Sequence, residues 1–240
     1  MFFVCSLHAP LSSHHCSGCR SPCDSAWQQA VADFFGRDDY VRYLELMSAA
    51  CAASRVSVLS YCLMPNHVHL VLVPSDEAGL KRAMANTHQK YAWLINRRQG
   101  WTGHLWQQRY SSFPLDEGHL LAAVRYVEVN PVRARLAAAP QDWPWSSART
   151  RMGLASRNEL SLAPLPPPLD GIQNWGAYLQ SESEKEEDEQ QRAHQLSGRP
   201  LGQDAFVRDI AARLGRSLVR RPRGRPRRID DCAETASLKW

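Results

Sequence analysis

Residues 56–74 constrain this chain more than any other stretch. Residues 56–62 alternate around β-branched side chains, Met64-Pro65-Asn66 supplies a turn, and residues 67–73 (His-Val-His-Leu-Val-Leu-Val) form an unbroken strand pattern that Pro74 ends. Two such runs joined by a short turn predict a β-hairpin. Its surroundings are helical. Residues 38–54 place Val41, Leu44, Leu46 and Met47 near one helical face, and residues 77–98 carry Leu80, Met84, Tyr91, Leu94 and Ile95 as an apolar set. Residues 105–115 predict another strand, and residues 118–129 a helix that stops near Asn130-Pro131, because proline disfavours helical geometry in the residue before it. The order helix, strand, strand, helix, strand, helix predicts an α+β fold, a sheet layered with helices.

At 240 residues, 44% hydrophobic and 22% charged, the chain suits one compact domain with appendages. No run of 18 apolar residues occurs, and the start lacks a basic segment followed by a clean apolar one, so the expectation is a cytoplasmic protein without a membrane partner. Of the seven cysteines, Cys5, Cys16, Cys19 and Cys23 crowd the start while Cys51, Cys62 and Cys232 are scattered, which predicts reduced thiols rather than a disulfide framework. His14, His15, Cys16, Cys19 and Cys23 imitate a zinc site but lack the paired, separated halves of a structural zinc module.

Charge is distributed in blocks. Residues 1–180 carry 16 Lys and Arg against 13 Asp and Glu, residues 181–190 carry six acids against Lys185, and residues 191–229 carry 11 Arg against Asp204 and Asp209. A tail rich in arginine favours phosphate and groove recognition, which makes nucleic acid the leading partner. Residues 161–170, with four prolines, read as a stiff polyproline-type spacer. Beyond it residues 175–192 predict a short polar helical piece, residues 205–214 an amphipathic helix closed by Gly215, and residues from 216 onward a basic disordered tail. The expected organisation is therefore an anomalous Cys-rich start (1–35), a folded body (36–150), a Pro-rich and acidic linker (151–190), and a helical segment with its Arg-rich tail (191–240).

Chemistry concentrates in two places. His67 and His69 alternate on a strand, so both imidazoles leave the same face while Val68 and Leu70 point to the other. Such a pair suits a divalent metal with open positions for substrate oxygens, and it equally suits two half-exposed surface histidines. Tyr126 and Asn130 stand four apart on or at the end of a helix, so phenol and amide share a side; the amide oxygen is an acceptable hard ligand, although a tyrosine on an amphipathic helix is more often core.

Four segments in order then resemble one family: Tyr-Cys-Leu-Met-Pro-Asn-His-Val-His-Leu-Val (61–71), Gly-His-Leu-Trp-Gln-Gln-Arg-Tyr (103–110), Arg-Tyr-Val-Glu-Val-Asn-Pro-Val-Arg-Ala (125–134) and Asp-Trp-Pro-Trp-Ser-Ser (142–147). Over about residues 36–150 the chain resembles the IS200-like single-tyrosine HUH transposases, and more closely their REP-associated branch. The resemblance implies a ferredoxin/RRM-like antiparallel sheet layered with helices, and a nuclease and strand transferase for single-stranded or hairpin DNA, with Tyr126 as nucleophile and His67, His69 and Asn130 holding Mg²⁺ or Mn²⁺. It implies Trp106, Arg109 and Tyr110 on a fourth strand near DNA, although alternation puts Arg109 on the face opposite Trp106 and Tyr110 and Trp106 suits the core equally; Arg133 is a phosphate contact or, equally, a solvated cation, and the protein a monomer or homodimer associated with the nucleoid. The segment Arg223-Gly224-Arg225-Pro226-Arg227 resembles an AT-hook, whose arginines enter a narrow A/T minor groove; plain phosphate attraction by Arg223, Arg225 and Arg227 is the alternative. A non-catalytic DNA-binding remnant using that tail is the competing function.

Family members open with a strand reading roughly His-His-Val-Thr-Gln-Arg-Gly-Asn-Arg-Arg beside the His-x-His strand. It is absent here, and residues 19–35 have neither strand nor helix periodicity. Codons chosen for that stretch and read one base later yield the missing motif. The expectation is thus a first strand lost or frameshifted, leaving the edge of the histidine strand exposed and the metal site short of packing.

Overall fold

The computed structural model describes residues 1–8, 34–106, 110–154, 160–167, 169–181, 185–215 and 217–218. Four strands, β1 (Phe2–His8), β2 (Val56–Met64), β3 (His67–Pro74) and β4 (Ser111–Leu115), make one sheet in the order β2-β3-β1-β4 with every neighbouring pair antiparallel. Helices α1 (Arg37–Ala53) and α2 (Gly79–Gln99) cover one face, and α3 (Leu120–Arg133) the other. This is the layered α+β arrangement that the order of periodic segments predicts.

Each strand feeds both layers. On β3, Val68, Leu70 and Leu72 enter the core under α1 and α2, which also holds Tyr43, Leu44, Met47, Met84 and Tyr91. Val71 faces the opposite core with Phe113, Leu120, Val124 and Val127, and the strand's period of two puts His67 and His69 on that same side. Pro65 and Asn66 turn the hairpin. In β2 the register slips between Val58 and Ser60, a bulge that lets the consecutive residues Leu59 and Ser60 both serve the α3 side. Helix α2 ends at Gly100 in the left-handed region (φ 66°), with Arg97 and Arg98 in its last turn where the helix dipole favours cations.

The interior strand is present, contrary to expectation. Phe2–His8 lies between β3 and β4, with Ser6 opposite His69 and His8 opposite His67. Because both sheet faces are covered, its apolar residues do not alternate: Val4, Cys5, Ser6 and Leu7 are all buried. A search for the family's polar strand motif passes over such a run. The segment on which a shifted frame was expected lies outside the described residues up to Phe34, as do His14, His15, Cys16, Cys19 and Cys23. Phe34 itself is core, stacked on Tyr40 with ring centres 4.3 Å apart. The described cysteines Cys5, Cys51 and Cys62 are buried and unbridged.

Two other boundaries differ. β4 begins at Ser111 rather than near Leu105, so Leu105 and Trp106 precede the strand and pack under α1 and α2. α3 continues through Pro131 to Arg133. Proline withholds one helical N–H, but the Asn130 amide (2.8 Å) and Arg133 Nη1 (3.0 Å) both donate to the Tyr126 carbonyl and brace the turn that Pro131 weakens.

The C-terminal elements return to this body. Leu160, Leu165, Trp175 and Leu179 are buried, and Ala163 N–H donates to Val58 O at 2.8 Å, so much of the stretch read as a linker lies against the sheet and α3. The expected polar helix is two helices, α5 (Trp175–Gln180) and α6 (Lys185–Ser197), and α7 (Asp204–Leu214) follows. α6 anchors on the sheet through Gln195, whose side chain donates to Ser6 Oγ and whose carbonyl accepts from Ser111 Oγ. Among the described residues no helix is long and apolar enough to cross a membrane.

Candidate active site

The hairpin and α3 bring three of the expected residues together. His67 and His69 leave one face of β3 with ring centres 4.7 Å apart and planes at 87°. His69 is 2% exposed, and its ring meets that of Tyr126 edge to face at 5.9 Å. Tyr126 descends from the middle of α3 and is 6% exposed. The turn residue Asn66 orients the first imidazole: its Oδ1 lies 2.7 Å from His67 Nδ1, and an N–H donated there puts the lone pair on Nε2.

The imidazole pair fits a divalent ion. Two such rings bound at right angles, as in an octahedral site with metal–ligand bonds of about 2.1 Å, would have centres about 4.6 Å apart, against 4.7 Å here. A carbonyl or carboxylate fixing the remote ring nitrogen is a usual support for a metal-bound histidine, and Asn66 is placed to give it to His67. Asn130, one turn after Tyr126, commits its amide nitrogen to the Tyr126 carbonyl, so its oxygen is the atom it has to offer a cation. Among the described residues no group of three or more His, Cys, Asp or Glu forms a cage, and the ligand set here is two imidazoles with an amide nearby in sequence.

Positive charge on α3 is already engaged. The Arg133 guanidinium lies 5.0 Å from the Tyr126 ring centre and pairs with Asp188 of α6 at 2.5 Å. Burial pulls the Arg133 pKa down, against the pull of Asp188 and Tyr126. Arg125 pairs with Glu187 at 2.9 Å and donates to Ser181 Oγ. Glu187 and Asp188 of the acidic block therefore belong to a helix and neutralise two arginines of the Tyr126 helix.

The expected DNA contacts scatter. Trp106 is half-buried and packs against the core: its ring lies 5.3 Å from that of His88 and 5.9 Å from that of Tyr91, in the layer on the far side of the sheet from His67 and His69. Tyr110, half-buried, packs in the same layer 6.4 Å from His88, and burial raises its hydroxyl pKa. Arg109, Arg223, Arg225 and Arg227 lie outside the described residues.

A fully buried carboxylate went unnoticed. Glu128 stands two residues after Tyr126 and gathers Ser60, Ser147, Arg151 and Trp175 around it. Its signal was a glutamate between Val127 and Val129 on an otherwise apolar helix side, together with the serine pair ending the Trp-Pro-Trp-Ser-Ser segment.

Fold and site thus define an α+β protein with a two-histidine strand facing a helical tyrosine. Residues 30–130 match the family model described as "Transposase IS200 like". Over that stretch the chain is similar to the IS200-like transposases. The match takes in His67, His69, Tyr126 and Asn130 and ends before α4. No curated protein matches. Among solved structures, a REP-associated tyrosine transposase bound to a REP hairpin is 12% identical, with a TM-score of 0.43 over 69% of this chain and 87% of that one.

Proposed function

We propose that this protein is a metal-dependent tyrosine transposase of the REP-associated type, which cleaves and rejoins single-stranded or hairpin DNA through a 5′-phosphotyrosine. One observation carries the reading: the imidazoles of His67 and His69 and the Tyr126 ring converge from β3 and α3 on one side of the sheet. The four sequence segments favour the REP-associated branch.

His67, His69 and Asn130 would hold Mg²⁺ or Mn²⁺, which when bound polarises the scissile phosphate and offsets its charge. Tyr126 Oη attacks phosphorus in line. The new bond joins phenolic oxygen to phosphorus, the bond to the 3′ oxygen breaks, and the departing strand takes up a proton as its 3′-OH. Reversal by a second 3′-OH restores the phenol. One phosphodiester replaces another, so the exchange is nearly energy-neutral and needs no nucleotide cofactor; the protein's task is positioning and charge. Near-complete burial of Tyr126 supports a nucleophile held in one orientation and kept from bulk water.

The test is covalent. The full chain is incubated with an end-labelled hairpin oligonucleotide and Mn²⁺ or Mg²⁺, then denatured. A labelled adduct that is lost in Tyr126→Phe is expected. Cleavage that persists in that variant discards the nucleophile, and binding without any adduct favours the DNA-binding remnant.

A further inference from the structure

Glu128 is 0% exposed, and nothing in the chemistry above uses it. Four donors from three other elements meet its two oxygens. Oε1 accepts from Ser147 Oγ at 2.5 Å and from Ser60 Oγ at 3.3 Å, and Arg151 Nε lies 3.4 Å away; Oε2 accepts from Trp175 Nε1 at 2.7 Å. Ser60 belongs to β2, Ser147 and Arg151 to α4 (Ser147–Arg151), and Trp175 opens α5. Arg151 also donates to the Leu59 carbonyl at the β2 bulge and stacks 5.1 Å from the Trp175 ring. Ser147 Oγ further accepts from Tyr61 N–H at 3.0 Å, one residue beyond Ser60.

Removing a carboxylate from water is costly, and a hydrophobic residue in its place would often give equal stability. What the polar arrangement adds is direction, because its hydrogen bonds are satisfied in one geometry. β2 is the direct neighbour of β3, paired from Met64 opposite His67 to Cys62 opposite His69. On α3 the carboxylate stands two residues after Tyr126 and two before Asn130. A tie between Glu128 and Ser60 therefore sets both the rotation and the advance of α3 relative to the strand that carries the imidazoles. The bulge at Leu59 belongs to the same arrangement, since without the extra residue Ser60 would face the other core.

We propose that Glu128 is a positioning residue: it locks α3 in register against β2 so that Tyr126 meets the His67–His69 pair in one fixed geometry. The inference rests on the nuclease reading above for its consequence in catalysis, but not for its geometry. Displacing a reacting group by about 1 Å can cost about 10²-fold in rate. Glu128→Gln keeps the shape but turns one acceptor into a donor and removes the charge, among partners of which Trp175 Nε1 and Arg151 Nε can only donate.

The experiment has two readouts on the full chain. 3-Fluorotyrosine placed at position 126 reports the ring's surroundings by ¹⁹F NMR, and single-turnover adduct formation on saturating hairpin oligonucleotide with Mn²⁺ reports the rate. Glu128→Gln should keep its circular dichroism and bind the hairpin within about threefold of the parent, while the rate falls about 10- to 100-fold and the fluorine resonance shifts or splits. A fluorine resonance identical to the parent's overturns the proposal, whatever the rate. If Glu128→Gln fails to fold, Ser147→Ala, which keeps the carboxylate and its indole donor, is judged by the same two measurements. If the parent itself forms no adduct, the nuclease reading fails and the fluorine resonance alone decides the role of Glu128.

Discussion

The His69 ring meets the Tyr126 ring edge to face with centres 5.9 Å apart, and His67 stands 4.7 Å beyond on the same strand. Strand period and helix placement together create that proximity, and neither residue is held by a loop. The site is therefore as rigid as the sheet, and its histidines can be removed without removing the fold. His67→Ala with His69→Ala should lower adduct formation by at least about 10²-fold while leaving most hairpin affinity in place. A titration of adduct yield and a binding isotherm on the same oligonucleotide check this. Affinity that collapses along with the adduct would make the histidines structural.

Asp39 and Arg98 join the helices that cover the opposite face. Arg98 reaches both carboxylate oxygens at 2.5 and 2.9 Å, and Phe35 N–H donates to the same group at 2.8 Å. Burial pushes the Asp39 pKa up, but the hydrogen bonds from Arg98 and Phe35 outweigh it and the carboxyl sits below its ordinary value. A depressed carboxyl stabilises the fold above the unfolded-chain pKa of about 4 and ceases to do so as pH falls through its folded value. Asp39→Asn should cost about 1–2 kcal/mol at pH 7, at the low end for a charged pair because Arg98 is half-exposed. The deficit should shrink below about pH 4. Urea unfolding at pH 7 and pH 3.5 measures it, and equal deficits at both would remove the ion pair from the account.

His88 gives a pH dependence of a different origin. Burial in the core pushes its pKa down to about 3, and Nε2 lies 3.0 Å from the Tyr43 hydroxyl. The folded protein keeps the ring neutral while the unfolded chain protonates it near pH 6.5, so the contribution present above that value is lost as pH falls toward 3. His88→Gln retains a polar partner for Tyr43 but takes up no proton. Between pH 6.5 and 4 its unfolding free energy should fall less steeply than the parent's, by about one proton's worth of slope. Parallel pH profiles would mean the imidazole is already charged or already accessible.

Local patterning made much of this legible. The hairpin, α1, α2 and the shared face of His67 and His69 follow from periods of two and 3.6, and the Tyr126 turn from helical spacing. Pairings across long separations were not legible. Arg133 reads as a phosphate contact or a solvated cation until Asp188, 55 residues away, takes it up, and Glu128 is not singled out before Ser147 and Trp175 surround it. Phe2–His8 was missed because a strand buried on both faces has no alternation to find. Trp106 precedes β4 rather than lying on it, and its half-buried ring packs against the aromatic cluster around Tyr43, a contact that strand periodicity does not reveal.

The role proposed for Arg223, Arg225 and Arg227 is in affinity rather than in the chemical step. They stand about a hundred residues beyond Tyr126 in sequence, in a segment whose composition cannot build a core. Each cation that neutralises a phosphate releases counterions, contributing about 0.7 to the salt slope on single strands and about 0.9 on duplex. Changing all three to Ala should reduce that slope by about two to three and weaken binding most at low salt, with adduct formation at saturating hairpin unchanged. Minor-groove insertion adds one discriminating consequence, because an A/T-rich duplex should compete for the parent protein better than a G/C-rich duplex and lose that advantage in the triple variant. Equal competition by both duplexes in the parent would reduce the tail to sequence-blind phosphate attraction. A fall in the saturated rate would mean instead that these arginines reach the scissile phosphate.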